Sequence, residues 1–165
     1  MQRPQRIPPG PGQESVWEYP RPPRLEASSK RLQVVVAGVT GAETTRAFRV
    51  LETSHSPTWY FPPEDVRADL LEPACGQSWC EWKGHAEYVS LSVDARRVAR
   101  VGWTYPNPTP EFRAIAQFIA FYPSLVDACY VDGEPVEPQP GGFYGGWITS
   151  DVVGPFKGEP ATQGW

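Results

Sequence analysis

CEWKGHAEYVSLSVDARRVARVGWTYP (80–106) is the stretch that decides the fold class. Apolar and polar residues alternate in 80–93 and again in 96–106, and side chains two positions apart point to the same face of a β-strand. The residues that share a face are Val89, Leu91 and Val93 in the first run and Val101, Trp103 and Tyr105 in the second. The stretch therefore predicts two strands, with Trp103 and Tyr105 turned to one side.

Shorter segments with strand composition lie on either side of this pair. LQVVVAG (32–38) is rich in β-branched residues and ends at a glycine, and 39–53 holds enough strand-forming residues to return beside it. TWYF (58–61) is a short aromatic strand that two prolines terminate. Asp132-Gly133 lies between two short apolar runs, which is typical of a two-residue β-hairpin. These segments predict an antiparallel, mainly β domain.

One segment has the periodicity of a helix. Thr109 suits the N-cap, Pro110 the first helical position, and Glu111 the positive end of the helix dipole. The apolar residues that follow recur at i, i+3, i+4 and i+7, namely Ile115, Phe118, Ile119 and Tyr122. We therefore predict one α-helix over about 109–122.

Composition limits the classes of function. The chain has 165 residues, a size typical of one domain, and its net charge of −4 comes with scattered basic residues, which excludes nucleic acid as a main partner. No apolar run is long enough to span a membrane or to serve as a signal peptide, so we expect a cytoplasmic protein. Cys75 and Cys80 are spaced more widely than the cysteine pairs of most zinc sites, and three cysteines are an odd number for disulfides, so we predict reduced thiols, no metal and no cofactor.

The two ends of the chain differ in composition from the middle. Residues 1–13 are rich in proline and glycine and predict a disordered or extended leader, followed by a single β domain over 14–140. Residues 141–165 begin with GGFYGGWITSDVVGPFKG, whose large rings are costly to expose. We expect this C-terminal arm to pack on the same domain with Trp147 buried. Packing on a neighbouring subunit of a homo-oligomer is the alternative.

Large aromatic residues stand beside polar residues at the ends of the predicted strands. They are Trp59, Tyr60, Trp82, Trp103, Tyr105, Phe121 and Tyr122. One interpretation is a pocket with aromatic walls that holds a flat or cationic ligand. The other is a hydrophobic core built from large rings.

The charged residues near these rings also allow two interpretations. Glu81 and Lys83 are two positions apart and would face the same side of one strand, where they could form an ion pair. Alternatively, Lys83 is a desolvated cation and Glu52 a general base. His55 and His85 have no carboxylate partner visible in the sequence, so we expect surface or turn residues.

The motifs together resemble a known family. RVLETSHSPTWYFPPEDV, CEWKGHAEY, WTYPNPTP and IAFYP followed by VDG occur in this order from about Arg24 to Gly133. In this respect the chain is similar to the family called domain of unknown function 427, and its Gly- and aromatic-rich tail looks like that of one branch. The resemblance implies a β-tent-like fold, in which two small antiparallel sheets lean on each other, as in the ligand-binding domain of cereblon and the B-type methionine sulfoxide reductases. Many such relatives hold zinc through two cysteine pairs, which this chain lacks. It also lacks the Asp-x-Asp pair that a nucleotidyltransferase would need.

The family motifs also select candidate site residues. They fall on Glu52, Tyr60, Cys80, Lys83, Trp103, Tyr105 and Tyr122, with Trp82, Phe143 and Trp147 as a second group. One hypothesis is a binding protein for a small molecule, with Glu52 and Lys83 as polar contacts. The other is a small enzyme in which Cys80 is a nucleophile or redox thiol and Glu52 or Lys83 transfers protons. We favour binding, because the sequence shows no histidine partner for Cys80.

Overall fold

The structure is a computed structural model and describes residues 4–159, 161–162 and 164–165. Its strands in that part of the chain are β1 (Glu14–Ser15), β2 (Arg24–Ser28), β3 (Leu32–Val36), β4 (Val39–Thr44), β5 (Ala47–Leu51), β6 (Thr58–Phe61), β7 (Leu71–Cys80), β8 (Gly84–Val93), β9 (Arg96–Thr104), β10 (Ile119–Phe121), β11 (Ala128–Val131), β12 (Glu134–Pro135), β13 (Glu137–Pro138), β14 (Trp147–Ile148) and β15 (Val152–Val153). Short 3₁₀-helices span Val16–Glu18, Pro63–Asp65 and Pro110–Ile115. No helix among these residues is long and apolar enough to cross a membrane.

Two antiparallel sheets form the body of the molecule. The larger has seven strands in the order β2-β5-β6-β10-β9-β8-β7, and the smaller has four in the order β12-β11-β3-β4. Two further two-stranded pairs join β1 to β15 and β13 to β14 within the described residues. The prediction of a mainly β, antiparallel fold is confirmed, although one of its sheets is larger than expected.

Tight turns explain how neighbouring segments pair. Ala37 and Gly38, between β3 and β4, both have positive φ, and so do Asp132 and Gly133, between β11 and β12. Two consecutive residues of positive φ match the right-handed twist of a hairpin. The two hairpins expected from the sequence are therefore present.

The main hydrophobic core lies between the two sheets. Val34 and Val36 of β3 and Val131 of β11 face Phe61 of β6 and Leu91 of β8 across it. Apolar burial of this extent is the dominant stabilising contribution in a domain of this size. The opposite face of the larger sheet is left to a second, smaller group of aromatic residues.

The predicted α-helix over 109–122 is wrong. Pro110–Ile115 forms a 3₁₀-helix, Gln117 takes a φ of +69°, and the chain then enters β10. Thr109 makes no side-chain cap; its Oγ1 instead donates a hydrogen bond to the carbonyl of Trp82 at 2.6 Å. Ile119 and Phe121 pack in the main core on one face of the sheet and Ala120 packs on the other, so all of β10 is buried. Such a run also fits the apolar spacing of a helix.

The predicted face of β9 is correct for two of its three residues. Trp103 and Tyr105 both pack against Tyr60 on one side of the larger sheet, whereas Val101 belongs to the core on the other side. The pairing of β8 with β9 is irregular between Val89 and Leu91, and Arg100, opposite this point, has a φ of +54°. A bulge of this kind shifts the alternation of side chains between the two faces.

The terminal segments meet along one edge of the molecule. The first three residues of the predicted leader lie outside the described residues, and the backbone amide of Ile7 donates to the carbonyl of Gly154 at 3.1 Å. Trp147 is 1% exposed and packs in the main core, whereas Phe143 is 81% exposed. The glycine-rich stretch therefore contributes one buried ring and one exposed ring.

Candidate functional site

A row of side chains crosses five neighbouring strands on the face of the larger sheet that points away from the main core. The strand registers place Phe48, Tyr60, Ala120, Trp103 and Tyr88 side by side, each opposite the next. Directly opposed residues on neighbouring antiparallel strands project to the same face. The antiparallel pairing thus builds an aromatic surface from residues far apart in sequence.

The rings in this surface are fixed by one another. Trp103 Nε1 donates a hydrogen bond to Tyr60 Oη at 3.2 Å, and the two rings meet edge to face at 6.3 Å between centroids. Tyr105 lies at the same distance from Tyr60, and Tyr122 lies 4.6 Å from Trp103. A surface held in this way needs little rearrangement to receive a ligand.

A cavity of about 370 Å³ lies over the aromatic surface. All seven residues of the first predicted group line it, namely Glu52, Tyr60, Cys80, Lys83, Trp103, Tyr105 and Tyr122. Trp82 and Phe143 of the second group also line it. The volume is at the lower end of the range for small-molecule sites, about 300–1,000 Å³.

Trp147 does not line the cavity. Its ring packs 6.0 Å from that of Phe61, and its Nε1 donates to the carbonyl of Phe121 at 3.2 Å, between the two sheets. The structure therefore places Trp147, a residue of the second predicted group, in the main core and away from the cavity. Its neighbours in sequence, Tyr144 and Gly145, reach the cavity instead.

Lys83 is the buried cation of the site. It is 8% exposed and lies in the turn between β7 and β8, where the backbone amide of Thr109 donates to its carbonyl at 3.1 Å. Its Nζ lies 5.7 Å from the centroid of the Tyr105 ring and 5.8 Å from that of Phe112. Both are cation–π distances, so the two aromatic faces offset part of the cost of burying the ammonium.

The predicted ion pair between Glu81 and Lys83 is not formed. Glu81 is exposed, and none of the ion pairs within 4.0 Å in the described part of the chain includes Lys83. Both residues lie in a turn between strands, where side chains two positions apart need not share a side. Lys83 thus faces the cavity with no carboxylate within 4.0 Å in the part of the chain that the structure describes.

The pKa of Lys83 lies above its usual value although the side chain is buried. Burial disfavours the ammonium, whereas the charges that Tyr60 and Cys80 acquire when they lose their protons, the contact with the Cys80 side chain and the charge of Glu52 favour it. Burial also raises the pKa of Tyr60 and of Tyr105, so both phenols are neutral at pH 7. The site therefore combines a fixed positive charge with neutral hydroxyl groups.

Glu52 and His55 form a second polar pair at the cavity wall. His55 Nδ1 lies 2.9 Å from the carbonyl of Thr53 and 3.7 Å from Glu52 Oε2, and Arg21 lies 3.6 Å from the same carboxylate oxygen. Burial lowers the pKa of His55, although Glu52 opposes the shift, so the ring is neutral at pH 7. A carbonyl only accepts hydrogen bonds, so Nδ1 carries the proton and Nε2 keeps its lone pair.

His55 is the main site residue that the sequence analysis missed. It lies in a turn, as expected, but its side chain is only 16% exposed and lines the cavity. The signal was the i, i+3 spacing of Glu52 and His55 in ETSH (52–55), which brings a carboxylate to an imidazole. The other lining residues that were not predicted are Thr58, Ser78, Trp79, Glu81, Tyr88, Tyr144, Gly145 and Lys157.

Exposed rings border the mouth of the cavity. Trp79 at the end of β7 is 66% exposed, and Phe143 stands on the loop before β14. Next to Phe143, the ring of Tyr144 meets His55 at 5.1 Å. Gly145 lies so close to the Trp103 indole that a Cβ there would collide with it. The loop over 141–146 thus packs directly on the aromatic surface.

The cysteines are dispersed. Cys80 is half-buried at the cavity, Cys75 is exposed, and Cys129 lies in the main core, where burial raises its pKa to about 12. In the described ranges, no three His, Cys, Asp or Glu side chains are grouped as ligands of a metal ion would be.

Comparison with known proteins identifies the family. A sequence model of the family described as a domain of unknown function, DUF427, matches residues 24–132, about two thirds of the chain. The chain belongs to this family. No curated protein matches it. The match to DUF427 contains all seven residues of the first predicted group, whereas Phe143, Tyr144 and Gly145 lie beyond it. The DUF427 segment thus supplies the sheet face and Lys83, and the following loop supplies one wall.

Proposed function

We propose that the protein binds a small planar molecule in the cavity over Trp103, with Glu52 and Lys83 as its polar contacts. The observation that carries the proposal is that one cavity brings together an aromatic surface and a buried ammonium that has no carboxylate partner among the described residues. Ligand sites in proteins have this composition, mostly apolar walls with a few well-placed polar groups.

The aromatic surface favours a flat ligand. Trp103 and Tyr122 offer adjacent rings at the cavity, and stacking on such rings contributes about 1–3 kcal/mol for a planar heterocycle. Because Tyr60 already contacts both Tyr105 and Trp103, the surface keeps its shape in the absence of a ligand. The free energy of binding is then not spent on ordering side chains.

A second candidate function is a small enzyme that uses Cys80. The specific observation in its favour is that His55 lines the same cavity as Cys80 with an unprotonated Nε2. A thiol activated by such a base would react with iodoacetamide well below pH 8.5, the usual pKa of a cysteine. The binding proposal expects Cys80 to react with iodoacetamide no faster than Cys75, the exposed reference thiol.

The binding proposal is tested by a fragment screen. ¹H–¹⁵N NMR of the protein with nucleobases, small amides, amines and aromatic acids should show shifts at the cavity residues. Trp103→Leu should weaken binding of the best fragment about tenfold or more, since it removes the stacking face. Trp17→Leu is the matched control, because Trp17 is also half-buried but does not line the cavity.

Two results would contradict the proposal. One is a set of fragments that shifts only residues outside the cavity. The other is equal loss of affinity in Trp103→Leu and Trp17→Leu, which would mean that binding depends on general stability instead of the aromatic surface.

We also propose that the protein acts in a reducing, cytoplasmic environment. Cys75, Cys80 and Cys129 are all free thiols, which is the state that such an environment maintains. Persistent disulfide-linked dimers through Cys75 in freshly lysed cells would argue against it.

A further inference from the structure

We infer that the ligand is a planar organic acid whose carboxylate lies at Lys83. This inference rests on the proposed function and adds the chemical class of the ligand. It follows from the distribution of charge around the cavity, which leaves one cation without a counter-charge among the described residues.

Among the described residues, four charged side chains line the cavity, and Lys83 is the one that is buried with no carboxylate within 4.0 Å. The Oε2 atom of Glu52 lies 3.6 Å from Nη2 of Arg21 and 3.7 Å from Nδ1 of His55. Glu81 is exposed to solvent, and Lys157 directs its Nζ to the carbonyl of Trp165 at 3.3 Å. The Lys83 ammonium is therefore the charge that a ligand would meet out of contact with bulk water.

A buried charge without a partner favours a ligand group of opposite sign. Removing an ammonium from water is costly unless it is paired and hydrogen-bonded, and a carboxylate at this position would supply both. A cationic ligand would instead meet like charge at the same point, which opposes the quaternary ligand that the aromatic walls alone also allow.

The phenols beside Lys83 suit the same group. Tyr60 Oη accepts a hydrogen bond from Trp103 Nε1, which leaves its own hydroxyl proton to donate. Because burial keeps this proton on Tyr60 at neutral pH, the hydroxyl is a donor that an anion can use. Lys83 and Tyr60 together offer a charged and a neutral donor to one acidic group.

The donor set favours a carboxylate over a phosphate. No arginine lines the cavity within the residues that the structure describes, and sites for phosphate monoesters commonly use arginine forks or several backbone amides. One lysine with one phenol is enough for a single negative charge.

A series of matched compounds tests the inference. Phenylacetate, phenylacetamide and phenethylamine share one ring and differ in charge, and phenyl phosphate adds the dianion. Titrations at pH 7 are monitored through the NMR signal of the Trp103 indole. Phenylacetate should bind most tightly, with an affinity about tenfold or more above that of phenylacetamide. Phenethylamine should bind most weakly.

Two variants separate the charge from the fold. Lys83→Met keeps most of the side-chain volume and should remove the preference for phenylacetate over phenylacetamide. Lys30→Met is the control, because Lys30 pairs with Asp151 at 2.7 Å and does not line the cavity. It should retain the full preference.

The outcomes distinguish the inference from the proposed function. The inference would be overturned, with the binding cavity retained, by any of three results. They are equal affinities for the acid and the amide, tightest binding of the amine or of phenyl phosphate, and a preference for the acid that persists in Lys83→Met. Absence of any shift at the cavity residues with all four compounds would contradict both.

Discussion

Lys83 illustrates how much the site depends on single residues. Its ammonium is buried and its pKa lies above the usual value, yet no ion pair within 4.0 Å in the described chain includes it. The two aromatic faces beside its Nζ stabilise the charge only in part. The sequence reveals that a lysine is present near large rings. It does not show that Glu81, the glutamate two positions before it in the chain, is exposed to solvent.

His55 gives a prediction about pH. Its pKa in the folded protein lies below the ordinary value near 6.5, chiefly because of burial, with Lys157 and Arg21 acting in the same direction and Glu52 and the Thr53 carbonyl opposing. The unfolded chain therefore binds the proton more readily, and stability falls as the pH drops below about 6.5 toward the folded-state pKa. The pH values over which His55 lowers stability lie above those at which most carboxylates titrate.

The measurement is denaturant unfolding of the wild type and of His55→Asn at pH 7.5 and pH 5.5. The wild type should lose more free energy of unfolding between the two pH values than the variant, which lacks the titrating ring. An identical loss in both proteins would show that His55 is as easily protonated in the folded state as in the unfolded chain.

At the scale of elements, the loop over 141–146 makes the closest contact with the site. A Cβ at Gly145 would overlap the Trp103 indole, whereas a Cβ at Gly142 in the same loop would meet nothing within 4 Å. Gly145→Ala should therefore lower the free energy of unfolding by about 1–3 kcal/mol and displace the Trp103 NMR signal, as overpacking does.

Gly142→Ala is the matched control for this substitution. It should change stability by less than about 1 kcal/mol and leave the Trp103 signal in place. If both alanine variants behave alike in thermal and denaturant unfolding, the loop does not rest on the indole as the structure has it.

The sequence predicted those elements whose signal is local. The β8 and β9 strands alternate in hydrophobicity, and each of the two hairpin turns contains a glycine at positive φ, so each could be inferred from a few adjacent residues. The prediction for 109–122 failed because Ile119–Phe121 is buried on both faces of the sheet, and its pairing with the distant strands β6 and β9 leaves no distinctive local pattern.

The candidate site, too, could be predicted from the sequence only in part. Family motifs selected seven residues that the fold brings to one cavity. The bulge near Arg100, which leaves Val101 and Trp103 on opposite faces of the sheet, has no clear sequence signature. Trp147 and Phe143 occur in the same glycine-rich stretch, and only the packing of that stretch decides which ring is buried. Tertiary contacts, not the local sequence, determine which of these rings is buried.

At the scale of the whole molecule, Trp147 connects the C-terminal residues to the core between the sheets. Trp147→Ala removes a ring that is 1% exposed and should cost about 3–5 kcal/mol of unfolding free energy. Trp79→Ala makes the same change at a ring that is 66% exposed and should cost less than about 1 kcal/mol. Comparable losses in urea unfolding would contradict the placement of Trp147 in the shared core.

The two sheets together explain why one face can be reserved for a ligand. The main core lies between them and carries most of the apolar burial, so the outer face of the larger sheet is free to present Tyr60, Trp103 and Lys83 to a cavity. The aromatic residues of the chain are thus divided between stability and the candidate site.

The most direct test of the account is a crystal structure of the protein soaked with phenylacetate. We predict density for the ring against Trp103 and Tyr122, with the carboxylate about 2.7–3.2 Å from Lys83 Nζ. A cavity that holds only water at saturating phenylacetate, or a ligand whose carboxylate points to solvent away from Lys83, would contradict the account.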